Sequence, residues 1–164
     1  MAIYPFNVND MNIRREFLEE IFFSAVSKID KDAKARWGKM SAQHMVEHLL
    51  WSFEISTGIT EIICKVPENM LERMRKFIYK NNPTPYNFKN PSLGEDPAEL
   101  RFPRITDALS ALEIELMKFL DSYRKNPEAV FLHPLFGKIN LEEWHRSHYK
   151  HCWHHLQQFD LIKL

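Results

Sequence analysis

Eight of the chain's 164 residues are histidine, and five of these fall between His145 and His155. Neutral imidazoles bind divalent metals, so spacing decides whether such a group is a site. At 100° per residue on a helix, His148, His151 and His155 project within about 60° of one another. His151 and His155 are four apart, the spacing by which one helix offers two imidazoles to one ion. Gln158 continues their line one turn further on, while His145, Trp153 and His154 point elsewhere. One ion needs more than two protein ligands. His44 and His48, also four apart, can supply another from a second helix. Three imidazoles would leave positions on the ion for water or substrate, the arrangement of a catalytic metal. Zinc or nickel are the first candidates, with iron or copper able to use the same ligands.

The sequence also contains the elements needed to hold these residues. Leu141, Cys152, Leu156 and Phe159 give the histidine-bearing segment an apolar face, with the histidine line at its edge. Asn140 and Glu143 open it with an Asn-x-x-Glu capping box, predicting a helix from Asn140 to about Phe159. Ser41 caps a second helix, Ala42 to Thr57, with Gly58 just past its end. Phe17, Ile21, Phe22, Val26 and Ile29 recur at helical spacing in a first helix, about Asn12 to Lys28. A shorter helix runs from Pro67 to about Tyr79. Another, capped by Thr106 or Asp107, buries Leu109, Leu112, Leu116, Phe119 and Leu120 and ends at Asn126-Pro127. Five prolines between Asn81 and Pro103 mark a long irregular connection or lid. No alternating strand pattern is evident. The expected fold is all-α, a helix bundle with four long helices and a short one.

Other candidates have ordinary readings beside their functional ones. His133-Pro134-Leu135-Phe136-Gly137, just ahead of the last helix, reads either as a closing loop or as packing beneath a helix start. Trp37 and Trp51 read as core before substrate platform. Lys65 to Lys89 holds six basic residues against two acidic ones, which would steer an anionic substrate or line a solvated helix face. Cys152 points about 100° from His151 and reads as packing. Glu142 with His145 is a single Glu-x-x-His, too little for a di-iron carboxylate site.

Composition sets limits. Apolar residues make up 45% and charged residues 27%, and acids and bases balance at 22 each. That is a globular composition, without the electrostatic footprint of a nucleic-acid or anionic-membrane binder. One domain, 1–164, is expected. The opening Met1-Ala2-Ile3-Tyr4-Pro5 has no signal-peptide character, and two cysteines make no disulfide framework. A cytoplasmic location is the expectation.

Two segments carry a family resemblance. Trp37-Gly38-Lys39-Met40-Ser41-Ala42, leading into His48-Leu49, resembles the opening of the second helix in DinB/YfiT-like proteins. His133 to Phe159, HPLFGKINLEEWHRSHYKHCWHHLQQF, resembles the C-terminal signature of a bacterial subfamily of undetermined function within that superfamily. The resemblance implies a four-helix bundle in up-down-down-up order with a long crossover. It also implies a metal held by His48, His151 and His155. His44 has no counterpart as a ligand there and ranks as a neighbour, with His148, Gln158 and His133 as further second-shell or pocket residues. Leu156 and Gln157 stand where relatives often carry arginine and glycine, which sets the substrate apart. Characterised relatives include thiol-dependent metal transferases and a thiol-dependent isomerase. The expectation is therefore a metal-dependent enzyme acting on a small molecule with a low-molecular-weight thiol, possessing S-transferase-like chemistry. A metal-dependent hydrolase using activated water, or a non-catalytic metal-binding bundle, are the alternatives. A homodimer is compatible with a bundle of this size.

Overall fold

The first helical segment departs from regular α geometry in its middle. A computed structural model describes residues 4–86, 88–91 and 93–163. Met1, Ala2 and Ile3, read above for a targeting signal, and Asn87 and Ser92 of the expected connection lie outside them. Helix α1 is continuous over 11–26. It comprises Met11–Glu16, a π-helical stretch Phe17–Ile21, and Phe22–Val26. The Phe22 N–H donates to the Phe17 carbonyl five residues back. This wide turn lets Phe17, Leu18 and Phe22 all reach the core.

Helix α2, Ala42–Ser56, begins as expected, with the Ser41 hydroxyl accepting from the His44 N–H. It ends in a Schellman motif. Ile59 N–H donates to Glu54 O and Gly58 N–H to Ile55 O, with Gly58 at φ +78°. Helix α3, Glu68–Tyr79, lies at the surface and fully buries only Ile78 among its described residues. Helix α4, Ile105–Lys125, starts earlier than expected. Arg104 is its N-cap residue, and the Asp107 carboxylate pairs with the Arg104 guanidinium instead of capping backbone N–H groups. Leu112, Leu116, Phe119 and Leu120 form its buried stripe, with Leu109 half-buried.

The all-α expectation needs one correction. Residues 130–140 form an antiparallel hairpin, β1 Val130–His133 and β2 Gly137–Asn140, in register His133 opposite Gly137 and Val130 opposite Asn140. Its three-residue turn, Pro134 to Phe136, is closed by Gly137 at φ +69°. Strands of four residues are too short to display a period of two, so the sequence reads as loop. Helix α5, Leu141–Gln158, then opens with the expected capping box between Asn140 and Glu143.

Among the described residues the fold is therefore mostly helical, with five helices and one small hairpin. Helix α2 packs most extensively on α4, and α5 touches α1, α2, α3 and α4. One apolar cluster joins them, with Phe17, Phe53, Phe119, Trp144, Tyr149 and Trp153 among its largest members. No helix among the described residues is long and apolar enough to cross a membrane.

Candidate metal centre

Where α2 crosses α5, three imidazoles turn the same nitrogen toward one point. His48 Nε2 lies 2.8 Å from His151 Nε2, and His151 Nε2 lies 3.1 Å from His155 Nε2. Among the described residues, this is the group of histidine, cysteine and acidic side chains placed to hold a metal ion. Two lone pairs at 2.8 Å repel unless a proton or a cation lies between them. For a tetrahedral ion with bonds of about 2.0–2.1 Å, neighbouring nitrogens sit roughly 3.3 Å apart. Two of the three pairs lie within about half an ångström of that spacing, and all three ligand atoms lie within 4.8 Å of one another, so the residues fit such an ion after side-chain adjustment.

Hydrogen bonding prepares one ligand explicitly. Gln158 Nε2 donates to the Trp37 carbonyl at 2.9 Å, which fixes the carboxamide, because a carbonyl can only accept. Gln158 Oε1 consequently faces His155 Nδ1 at 2.8 Å and accepts its proton. His155 is thereby held as the Nδ1–H tautomer, with the Nε2 lone pair free for a metal. Burial, then the neighbouring His154, pushes the His48 pKa down to about 4. Burial, then the His48 imidazole, pushes His151 and His155 well below the ordinary histidine value. All three are neutral at neutral pH, the state that coordinates.

The three histidines border a cavity of about 940 Å³. Trp37, Trp51 and Ile55 line it on one side, and Leu135 and Phe136 of the hairpin turn on another. The connection between α3 and α4 supplies a further wall through residues 88–91, 93–99 and 101. That wall is tied to α2. Arg101 donates through both terminal nitrogens to the Glu54 carboxylate at 2.8 Å. The Arg101 and Phe102 backbone N–H groups donate to Glu47.

The remaining residues singled out above divide clearly. His44 borders the cavity but belongs to the α2 capping box, its Nδ1 accepting from the Ser41 N–H, and lies outside the three-nitrogen group. His133 also borders the cavity. Its Nδ1 accepts from the Leu135 N–H, so Nε2 carries the proton toward Ser147 Oγ at 3.2 Å. That polarity prevents His133 from acting as a base on Ser147, and burial pushes its pKa down to about 3. His148, expected beside the site, does not line the cavity. Its Nε2 donates to Ser56 Oγ at 2.8 Å, since the Ser56 hydroxyl is committed to the Phe53 carbonyl, and its ring stacks on Phe53. Cys152 is fully buried, as expected of a packing residue.

Trp37 and Trp51, read as core, border the cavity half-buried, Trp51 also packing against the core and stacking beside His48. His154, read as pointing elsewhere, also borders it, with Nδ1 donating to Thr84 O at 3.4 Å. The connection folds back across α5 at Thr84 and Tyr86, where Tyr86 stacks on Trp37 at 4.2 Å. Helical angles alone carry no signal of that long-range contact. Glu47, Arg101 and Lys150 were missed for the same reason.

No family model, curated protein or solved structure matches the chain.

Proposed function

We propose that this chain is a small metal-dependent enzyme of the DinB/YfiT-like type, a four-helix bundle whose centre is His48, His151 and His155, and that it transfers a low-molecular-weight thiol. The observation that carries this reading is the convergence of three Nε2 atoms on the border of a cavity large enough for a small molecule. A structural metal site would be closed by a fourth protein ligand, whereas this one opens onto space. A zinc, nickel or similar divalent ion held there supplies a Lewis acid that lowers the pKa of a thiol or water.

The chain's own residues divide the remaining work. His48, His151 and His155 hold the ion while neutral. Gln158 orients His155, and Trp37 orients Gln158. The apolar walls exclude water from the reacting groups, favouring a sulfur nucleophile over bulk solvent. Hydrolysis is the weaker reading for a specific reason. Glu47, the buried carboxylate of the wall, already accepts from Gln43 and from the Arg101 and Phe102 N–H groups, which fills most of its acceptor sites and makes it a poor base toward water.

Cobalt(II) substitution tests the proposal. Adding a small thiol such as 2-mercaptoethanol should produce a sulfur-to-cobalt charge-transfer band at one thiol per ion, absent from His151→Ala. Ester or amide hydrolysis with no such band would favour the hydrolase. A bound ion inert to both thiol and substrate would favour a structural site.

A further inference from the structure

Lys150 is a buried cation without a carboxylate partner among the described residues. It is only 2% exposed, and it borders the same cavity as the three histidines. Its Nζ donates to the Phe77 carbonyl at 2.8 Å and the Lys80 carbonyl at 2.9 Å, and sits 4.0 Å from the centre of the Phe77 ring. An ammonium has three N–H groups, so these carbonyls leave one unclaimed. The partial negative charge at the C-terminal end of α3 and the Phe77 ring answer part of the buried charge, but no full anion does. Removing a cation from water is expensive unless an anion answers it.

The other cations of the cavity wall are already answered or solvated. Lys39 pairs with Asp96 at 2.7 Å, Arg101 is held by Glu54, and Lys89 is exposed. Phe77 lies against Lys150, and Ile78, Leu135 and Phe136 add apolar lining to the same cavity. A single ammonium balances one negative charge, and apolar walls suit a carbon skeleton.

We infer that the cavity binds the carboxylate of a mostly apolar small molecule, with Lys150 as the residue that receives it. This rests on the cavity being the substrate site of the proposed enzyme and adds the substrate's chemical class. Lys150 precedes His151 and projects about 100° around the helix from it. The carboxylate and the reacting end therefore belong to different parts of the ligand, a few bonds apart. Lys150 is a binding residue in this account and takes no part in bond making.

The test compares 4-phenylbutyrate with its neutral isostere 4-phenylbutyramide, by tryptophan fluorescence titration of the full chain, metal-free and zinc-loaded. Trp37 and Trp51 border the cavity and report on occupancy. The acid should bind about tenfold more tightly than the amide, the expected size for a charge-assisted hydrogen bond. Lys150→Met should bring the ratio near one, Lys150→Arg should retain most of it, and His48→Ala should leave it intact. Equal binding of acid and amide to the wild type would overturn the inference. So would a ratio that survives Lys150→Met, or one that vanishes in His48→Ala, since the carboxylate would then depend on the histidines. If Lys150→Met does not fold, the wild-type ratio and Lys150→Arg still decide. A Lys150-dependent ratio in a chain that binds no metal would sink the metal reading alone. No ratio in a chain holding its metal would sink this one alone.

Discussion

Helix α5 carries two sets of buried histidines a turn or two apart, and they are wired in opposite senses. At the core end, Arg14 Nε donates to His145 Nδ1 at 3.2 Å, so the His145 proton sits on Nε2. His148 likewise carries its proton on Nε2, given to Ser56. Both rings stack against aromatics, His145 on Tyr123 and His148 on Phe53. At the cavity end, Gln158 draws the His155 proton to Nδ1 and frees Nε2. His155 is buried like His145 and His148, while His151 is half-buried at the cavity edge. The hydrogen-bond partner decides which nitrogen keeps its lone pair, and so which imidazole can take a metal.

The sharpest break in this comparison is His148→Ala. It deletes a stacked ring and leaves Ser56 without its donor, and should destabilise the fold by about 3 kcal/mol. Metal content per folded molecule should stay unchanged, read by denaturant unfolding alongside metal analysis. His145→Ala should behave in the same way, since it strands a buried Arg14 Nε without touching the cavity.

Gln158→Leu acts at the other end. It removes the acceptor that fixes His155 and the donor to the Trp37 carbonyl, and should weaken metal binding by roughly 10–100-fold while costing the metal-free chain about 1–3 kcal/mol. Competition against a chelator measures this. Retention of wild-type affinity would mean that the tautomer is set by something other than Gln158.

Acidification acts on both ends together. Burial, aided by Arg14, pushes His145 down to about 3, and burial does the same for His133, while His48 falls to about 4. The unfolded chain protonates these groups near pH 6.5, so below that pH it binds more protons than the folded one. Stability of the metal-free protein should be level above about pH 6.5. It should fall as pH drops toward those folded values, by up to about 1.4 kcal/mol per pH unit for each such histidine. His148→Gln should make the acid slope shallower by one proton. A slope that begins only below pH 4 would show that these imidazoles are not held neutral.

The two ends also differ in how much of them was legible in the sequence. His151 and His155 are one helical turn apart, and helix period alone aligns them. The choice of His48 over His44 came from the resemblance, and the capping role of His44 explains it physically. Gln158 lay on the visible line, but its bond to Trp37 did not, because 121 positions separate the two. The same distance problem hid His154 and the Arg101 clamp, which depend on how the connection between α3 and α4 folds back, and Lys150, which depends on how the end of α3 packs on α5. Capping pairs at Ser41 and Asn140 were local and readable. The hairpin was local too, but too short for its alternation to register.

Metal content tests the central claim most directly, measured on untagged protein purified without added metal. The wild type should hold close to one divalent ion per chain, and His48→Ala, His151→Ala and His155→Ala should each hold almost none while remaining folded. A wild type that binds no ion even when supplied with zinc, nickel or cobalt would contradict the account, as would full retention in those three variants.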